Sequence, residues 1–218
     1  MSDAVKAFDA AAPGYDSWYA SASGRRVFEA ERAALERFLP EEGVGLEAGA
    51  GTGIFSEALT EGRRSVVCLD LSREMLSLAR RRGLPSVLGD ASAPPFRSCL
   101  DFAFMVTVLE FLPDPVGALR AIGGSLRAGA PLVTLFVNRE SPWGRLYSEL
   151  GSRGDPVFRH ARLYTLGEYE GLLAEAGLSP LGAVGTLTGQ PGDPDAGSDL
   201  VDSATNPGVI CAAAHRRE

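Results

Sequence analysis

The residues best suited to chemistry are carboxylates that stand where apolar runs end. Glu47 enters a turn in which Gly49, Gly51 and Gly53 remove alternate side chains, within GLEAGAGTG. Ile54, Phe55, Ala58 and Leu59 then open a helix. A strand, a bare turn and a helix N-terminus let a ligand reach the backbone, because no Cβ blocks its approach at the glycines. Seventeen residues past Gly53, Asp70 closes the apolar run SVVCLD. An acid about 20 positions beyond such a turn is the usual partner of ribose hydroxyls. Asp90 in GDA and Glu110 in VTVLE follow the next two apolar runs. This spacing points to a ligand that carries adenosine.

None of these four segments holds a lysine or arginine. A phosphate-rich ligand would call for GxxxxGK[ST], or at least a nearby base, and the turn offers neither. The dinucleotide fingerprint GxGxxG also fails, because position 54 is Ile. An adenosine cofactor without phosphates fits better. S-adenosylmethionine is one such, and its sulfonium and ammonium groups suit an acidic crevice.

The elements that must position these residues alternate along the chain. Apolar runs at 44–48, 65–69, 86–88, 102–106 and 132–137 read as strands of a parallel sheet. Between them lie helical patterns capped by Ser72, by Asp114-Pro115 and, before the C-terminal part, by the box from Thr165 to Glu168. Runs at 181–187 and 209–213 add a closing pair. The expected fold is α/β, a doubly wound, mostly parallel seven-stranded sheet with its last strand antiparallel. Ahead of it, 3–12 and 25–39 read as helices, with Pro13-Gly14 interrupting the first and Tyr15, Trp18 and Tyr19 following. Two readings of that aromatic cluster stand side by side: a helix packed on the outside, or a lid whose tyrosines reach a ligand. The stretch 188–206 has four aspartates and no aromatic residue, as a solvated hairpin loop would.

With 218 residues, 45% of them hydrophobic, the chain can bury one good core, and a single domain over 1–218 is expected. A net charge of −7 argues against a nucleic-acid partner. The polar start and the lack of an 18-residue apolar run argue against a signal peptide or a membrane partner. Cys68, Cys99 and Cys211 show no CxxC spacing, so buried thiols are favoured over metal ligands. An odd cysteine count fits a reducing, cytoplasmic setting. Oligomeric state is not legible.

The ordered set GLEAGAGTG, LDLS at 69–72, GDA at 89–91 and DFAFMVTVLEFLPDP at 101–115 resembles the class I S-adenosylmethionine-dependent methyltransferases, especially the small "type 11" branch. The likeness takes in FDAAAPGYDSWY at 8–19; beyond Pro115 only the order of elements matches. The resemblance implies a Rossmann-like sheet and S-adenosylmethionine as cofactor. It implies that Glu47, Gly49 and Gly51 line the methionine part and that Asp70 holds the ribose hydroxyls. Leu71 and Met75 would pack by the adenine, whose edge would meet Asp90 and Ala91. The Val106-Thr107 backbone would face the amino group, and Tyr15 would be a lid tyrosine over the carboxylate.

Methyl transfer from a sulfonium is an in-line displacement, so positioning and exclusion of water can carry much of it. A base is needed only if the acceptor must lose a proton, and Glu110 and His160 are the candidates. The acceptor should be met by the N-terminal helices, 1–40, and by an insertion, 138–165. That insertion holds Trp143, Tyr147, Phe158 and Tyr164, with Arg139, Arg145, Arg153, Arg159 and Arg162 against Glu140, Glu149 and Asp155. Its excess of arginine suggests an anionic or aromatic small-molecule acceptor, unless these arginines simply pair with nearby acids. No N/D-P-P-Y/F or Pro-Cys follows 102–106, which disfavours DNA-adenine, protein-glutamine and cytosine-C5 methylation. Small-molecule N- or O-methylation is the expectation. A non-catalytic S-adenosylmethionine-binding protein and a nicotinamide-dependent oxidoreductase are the rivals.

Overall fold

The alternation of apolar runs and helical patterns builds a single sheet in the computed structural model, which describes residues 3–193 and 197–216. Helices α1 (Asp3–Ala20) and α2 (Ala22–Glu36) come first. Then follow β1 (Glu42–Ala48), α3 (Ile54–Leu59), β2 (Arg63–Asp70), α4 (Arg73–Arg81), β3 (Ser86–Leu88) and β4 (Phe102–Val106). A 3-10 turn (Leu109–Phe111) leads to α5 (Pro115–Ser125), β5 (Leu132–Val137) and α6 (Pro142–Ser152). After a second 3-10 turn (Phe158–His160), α7 (Leu166–Ala176), β6 (Leu178–Thr186), β7 (Val201–Asp202) and β8 (Val209–Arg216) complete the order.

The strand order is β3-β2-β1-β4-β5-β8-β6-β7. The pairs among β1 to β5 are parallel, while β8 lies antiparallel between β5 and β6. The winding reverses between β1 and β4, and this opens the crevice at the carboxyl ends of those strands where ligands bind in such sheets. Every residue of β4 and β5 is buried, because helices cover both faces. On one face Leu46, Ala103, Met105 and Phe136 pack with Leu119 and Ile122 of α5 and Tyr169 of α7. On the other, Phe102, Phe104, Val133 and Leu135 meet Val27, Ala34 and Leu35 of α2 with Phe55 and Leu59 of α3. Each buried Val, Leu, Ile, Met or Phe among them contributes about 1.5–3 kcal/mol by leaving water.

The fold is the expected α/β class, with eight strands instead of seven. The extra strand is β7, two residues inside 188–206 that pair antiparallel with β6 at Val184 and Gly185. Two residues carry too little pattern to be seen as a strand. Residues 194–196, which include one of the loop's four aspartates, lie outside the described residues.

The first helix is also corrected: α1 runs through Pro13 to Ala20. A proline inside a helix removes one ladder hydrogen bond and costs about 3 kcal/mol. Tertiary contacts on both sides of Pro13 offset that cost. Ser72 Oγ donates to Asp9 Oδ1 at 2.5 Å, and Thr52 Oγ1 donates to Asp16 Oδ1 at 2.7 Å. Phe8 packs edge-on against Phe111, and Tyr19 against Phe28 and Phe55. Among the described residues no helix is long and apolar enough to cross a membrane.

Candidate functional site

The three glycines after β1 all have positive φ, 73° at Gly49, 53° at Gly51 and 76° at Gly53, so each suits a conformation that side chains resist. Their surroundings differ. A Cβ on Gly49 would meet Val108 at 2.4 Å, and one on Gly53 would meet Leu84 at 2.7 Å and Ala79 at 3.0 Å. These two let the turn pack against its neighbours. A Cβ on Gly51 would meet only Met75 Sδ, at 3.9 Å. Packing alone does not require a glycine there, and the open space lies against the backbone.

Asp70, at the end of β2, faces this turn. Its Oδ2 accepts from the Gly51 N–H at 2.7 Å and its Oδ1 from the Ser72 N–H at 2.8 Å, while each oxygen keeps lone-pair capacity. Burial raises its pKa against the pull of these backbone donors. Leu71 beside it is 47% exposed, and Met75 on α4 is buried beneath Gly51. Asp90 is exposed and accepts from the Ser92 N–H and hydroxyl in a turn of its own, whereas Ala91 is buried in the core. Val106 ends β4, and Thr107 follows with φ 50°, a strained conformation for a β-branched residue at a strand end.

Glu47 is buried at the end of β1, where its Oε2 accepts from both the N–H and the hydroxyl of Ser56. Burial is the main influence on it and raises its pKa to about 8; the Ser56 donors pull the other way. A basic residue does reach the turn from a distance. Arg82, just past α4, donates to the Thr52 carbonyl at 3.2 Å, but its charge is met by Asp16 at 2.8 Å and Glu57 at 2.7 Å. Its guanidinium therefore ties α1 to the turn and leaves the crevice acidic.

Under α1 lies a cavity of about 680 Å³. Its walls are mostly apolar and aromatic, with Tyr15 and Trp18 from α1, Phe111 from the first 3-10 turn, Trp143 and Tyr147 from α6, and Phe158 beyond it. Tyr147 and Phe158 stack with ring centroids 4.3 Å apart. Thr107, just past β4, and Tyr15 are also on its wall. The Tyr15 hydroxyl feels the charges of Glu31 and of Glu47 and Asp70; burial is the leading influence and lifts its pKa to about 12.

Two carboxylates also line this cavity. Glu110 is 3% exposed; its Oε1 accepts from the Val137 N–H at 2.9 Å, and its Oε2 has no partner among the described residues. Glu31 of α2 is 4% exposed, and its Oε2 is likewise unpaired among them. Burial raises the Glu110 pKa to about 7, and burial together with the Glu110 charge raises that of Glu31 to about 8. The sequence reading missed Glu31. It had a signal: Glu31 shares a helical stripe with Val27, Ala34 and Leu35, where an apolar residue belongs.

His160 and the arginines stand apart from the large cavity. His160 does not line the cavity, and its Nε2 accepts from Arg159 Nε at 3.0 Å. Arg139 pairs with Glu168 and Arg153 with Glu149, while Arg145 donates to the Glu140 carbonyl. Arg162 lies over the Tyr164 ring. Tyr164 itself is buried in the core. None of the five arginines lines the large cavity, so its charge is acidic, whereas Arg139 and Arg159 line a smaller pocket of about 350 Å³ beside Tyr147 and Phe158. Arg139 and Arg153 meet acids at the surface, where their charge stays hydrated.

Comparison with known proteins agrees with this arrangement. Residues 46–134, from β1 into β5, match the family model for a methyltransferase domain. An uncharacterized protein of Mycobacterium tuberculosis is 39% identical over 186 residues, covering 84% of this chain; the chain spans 63% of that relative's length. The ubiquinone biosynthesis O-methyltransferase of Hahella chejuensis is 32% identical over 140 residues, 59% of this chain and 55% of that protein. A crystal structure from Thermotoga maritima, described as an S-adenosylmethionine-dependent methyltransferase and possible histamine N-methyltransferase, superposes with a TM-score of 0.88. It is 27% identical, and the match covers 98% of this chain and all of that one.

Proposed function

We propose that this chain, which carries the domain and fold of the class I S-adenosylmethionine-dependent methyltransferases, moves a methyl group to a nitrogen or oxygen of a small-molecule acceptor. The observation that carries the reading is an open glycine turn flanked by Glu47 and Asp70, with Tyr15, on the wall of an apolar cavity, close enough to feel both charges. The residues fit S-adenosylmethionine. Gly51 leaves room that packing does not require, and Arg82, the base that reaches the turn, is already paired with Asp16 and Glu57.

In this reading Asp70 holds the ribose hydroxyls, with Leu71 and Met75 beside the adenine and Asp90 and Ala91 at its edge. Glu47, Gly49 and Gly51 line the methionine part, whose amino group faces the Val106-Thr107 backbone and whose carboxylate lies under Tyr15. The bound cofactor supplies an electrophilic methyl on sulfur. The chain's own share is to hold the acceptor at short range and to keep water out with aromatic walls. Apart from Phe111, the aromatic walls come from within 1–40 and 138–165, which we assign as the lid and the acceptor-side insertion. Support for a nitrogen or oxygen acceptor comes from the descriptions of the Thermotoga maritima structure and the Hahella chejuensis relative.

Thermal-shift titration tests the cofactor. S-adenosylmethionine and S-adenosylhomocysteine should stabilise the protein, and stabilisation by NAD(H) alone would sink the reading. Asp70→Ala should abolish the shift; retained tight binding would refute the ribose role. Release of S-adenosylhomocysteine across a panel of acceptors separates an enzyme from a protein that only binds the cofactor.

A further inference from the structure

The cavity under α1 contains a contradiction that a ligand would resolve. Its walls are apolar, yet α2 and the first 3-10 turn each place a buried carboxylate in them, and each carboxylate leaves one oxygen unpaired among the described residues. Isolated buried carboxylates are expensive, and they persist where a cation or a proton completes them. Among the described residues no lysine, arginine or histidine lines this cavity. Around the two acids stand aromatic rings, among them Trp18, Tyr147 and Trp143, whose faces attract cations.

We propose, on the footing that the chain is a methyltransferase, that the acceptor is a primary or secondary amine with an apolar or aromatic body. It enters as its ammonium, with Glu31 and Glu110 as the carboxylates that bind it. An anion would meet two acids and no base. A neutral alcohol would offset the charge of neither acid.

The chemistry balances. An ammonium cannot attack, because its lone pair holds a proton. One of the two carboxylates takes that proton and becomes a carboxylic acid. The freed nitrogen lone pair then forms the N–CH3 bond while the S–CH3 bond breaks, its electron pair remaining on sulfur as a neutral thioether. The product is the methylated ammonium, and the proton on the carboxyl returns to solvent.

The other titratable groups that face the pair are the phenols of Tyr15 and Tyr19 from α1, Tyr147 from α6 and Tyr164 beside Glu110, with the Cys211 thiol from β8 near Glu31. Burial pushes each of these upward, so all stay neutral through the neutral range. Arg162 meets this region through its backbone N–H, which donates to the Glu110 carbonyl, while its guanidinium lies over Tyr164. Near pH 7 the empty cavity therefore holds a proton on Glu31 and a partly occupied one on Glu110, and an arriving ammonium should displace them.

Calorimetry on the full chain saturated with S-adenosylhomocysteine tests this. The probes are 2-phenylethylamine and tryptamine, matched with 2-phenylethanol, tryptophol and 3-phenylpropionate. The amines should bind at least about ten-fold more tightly than the matched alcohols and acid, as the loss of a charge-assisted contact predicts. Their heats should change with the ionisation enthalpy of the buffer, which reports proton release at about pH 7. Glu31→Gln and Glu110→Gln should each weaken amine binding about ten-fold and leave S-adenosylhomocysteine affinity unchanged. Alcohols binding as well as amines, neither amine binding, or amine binding without proton release would overturn the proposal. The proton-release measurement uses the unmodified protein, so it decides the matter even where a variant fails to fold. If S-adenosylhomocysteine does not bind, the cofactor reading falls in the first titration, before any amine is added.

Discussion

Replacing Gly51 and Gly49 by alanine separates ligand approach from packing within three residues. At Gly51 the new Cβ meets only Met75 Sδ at 3.9 Å, so the unligated protein suffers only the left-handed backbone at φ 53°. That strain costs about 1–2 kcal/mol, or roughly 2–8 °C in melting temperature for a chain of this size. At Gly49 the same strain applies, and the Cβ also lands 2.4 Å from Val108 Cγ2 and 2.6 Å from Cγ1. Overpacking adds about 1–3 kcal/mol, so Gly49→Ala should be the less stable variant by that margin. Cofactor affinity should follow a different order. If the ligand lies against the backbone at Gly51, a methyl there costs it both contact and position, and binding should weaken at least about ten-fold, roughly 1.4 kcal/mol. Thermal melts of the unligated variants and calorimetric titration with S-adenosylhomocysteine read the two quantities independently. Wild-type affinity in Gly51→Ala would refute the reasoning, as would Gly51→Ala melting as low as Gly49→Ala.

The buried carboxyls predict an unusual pH dependence. Glu31 and Glu47 keep their protons to about pH 8 and Glu110 to about 7, against an ordinary 4.5, with burial the leading cause for each. Between these limits the folded chain binds more protons than the unfolded one, so stability falls as pH rises and levels off above the folded values. The unligated melting temperature should drop by on the order of 10 °C between about pH 5 and 8.5, and Glu31→Gln should flatten part of that fall; a flat or rising profile counts against it. Asp16→Ala should loosen α1, because it removes both the Thr52 hydrogen bond and the Arg82 ion pair. The pair is partly exposed, so the global loss should stay near 1 kcal/mol, while amide exchange in α1 rises well above that of β4 and β5. Unchanged exchange in α1 would show that the aromatic contacts alone hold it.

The four strand-end motifs were legible because each is local. Alternating glycines, an acid at the end of an apolar run and capping residues such as Ser72 and Asp114 act on their own neighbours, so type and spacing identify them. The same locality revealed the parallel strands and the helices between them, whereas the strand order, and with it the crevice between β1 and β4, belongs to the folded sheet. It misled at Pro13, where a local helix breaker is outweighed by Asp9 and Asp16 bonding to Ser72 and Thr52, residues far along the chain. Charge was only half legible. The arginines of 138–165 allowed either a basic pocket or pairing with nearby acids, and Arg139 and Arg153 pair with Glu168 and Glu149, while Arg82, outside every motif, came to the glycine turn already neutralised. Sequence alone determined the sheet and the acid-flanked turn. Only the tertiary structure decided that Glu31 and Glu110, 79 positions apart, share one apolar cavity. Burial and proximity set the charge state of a carboxyl, and neither exists until distant segments have packed.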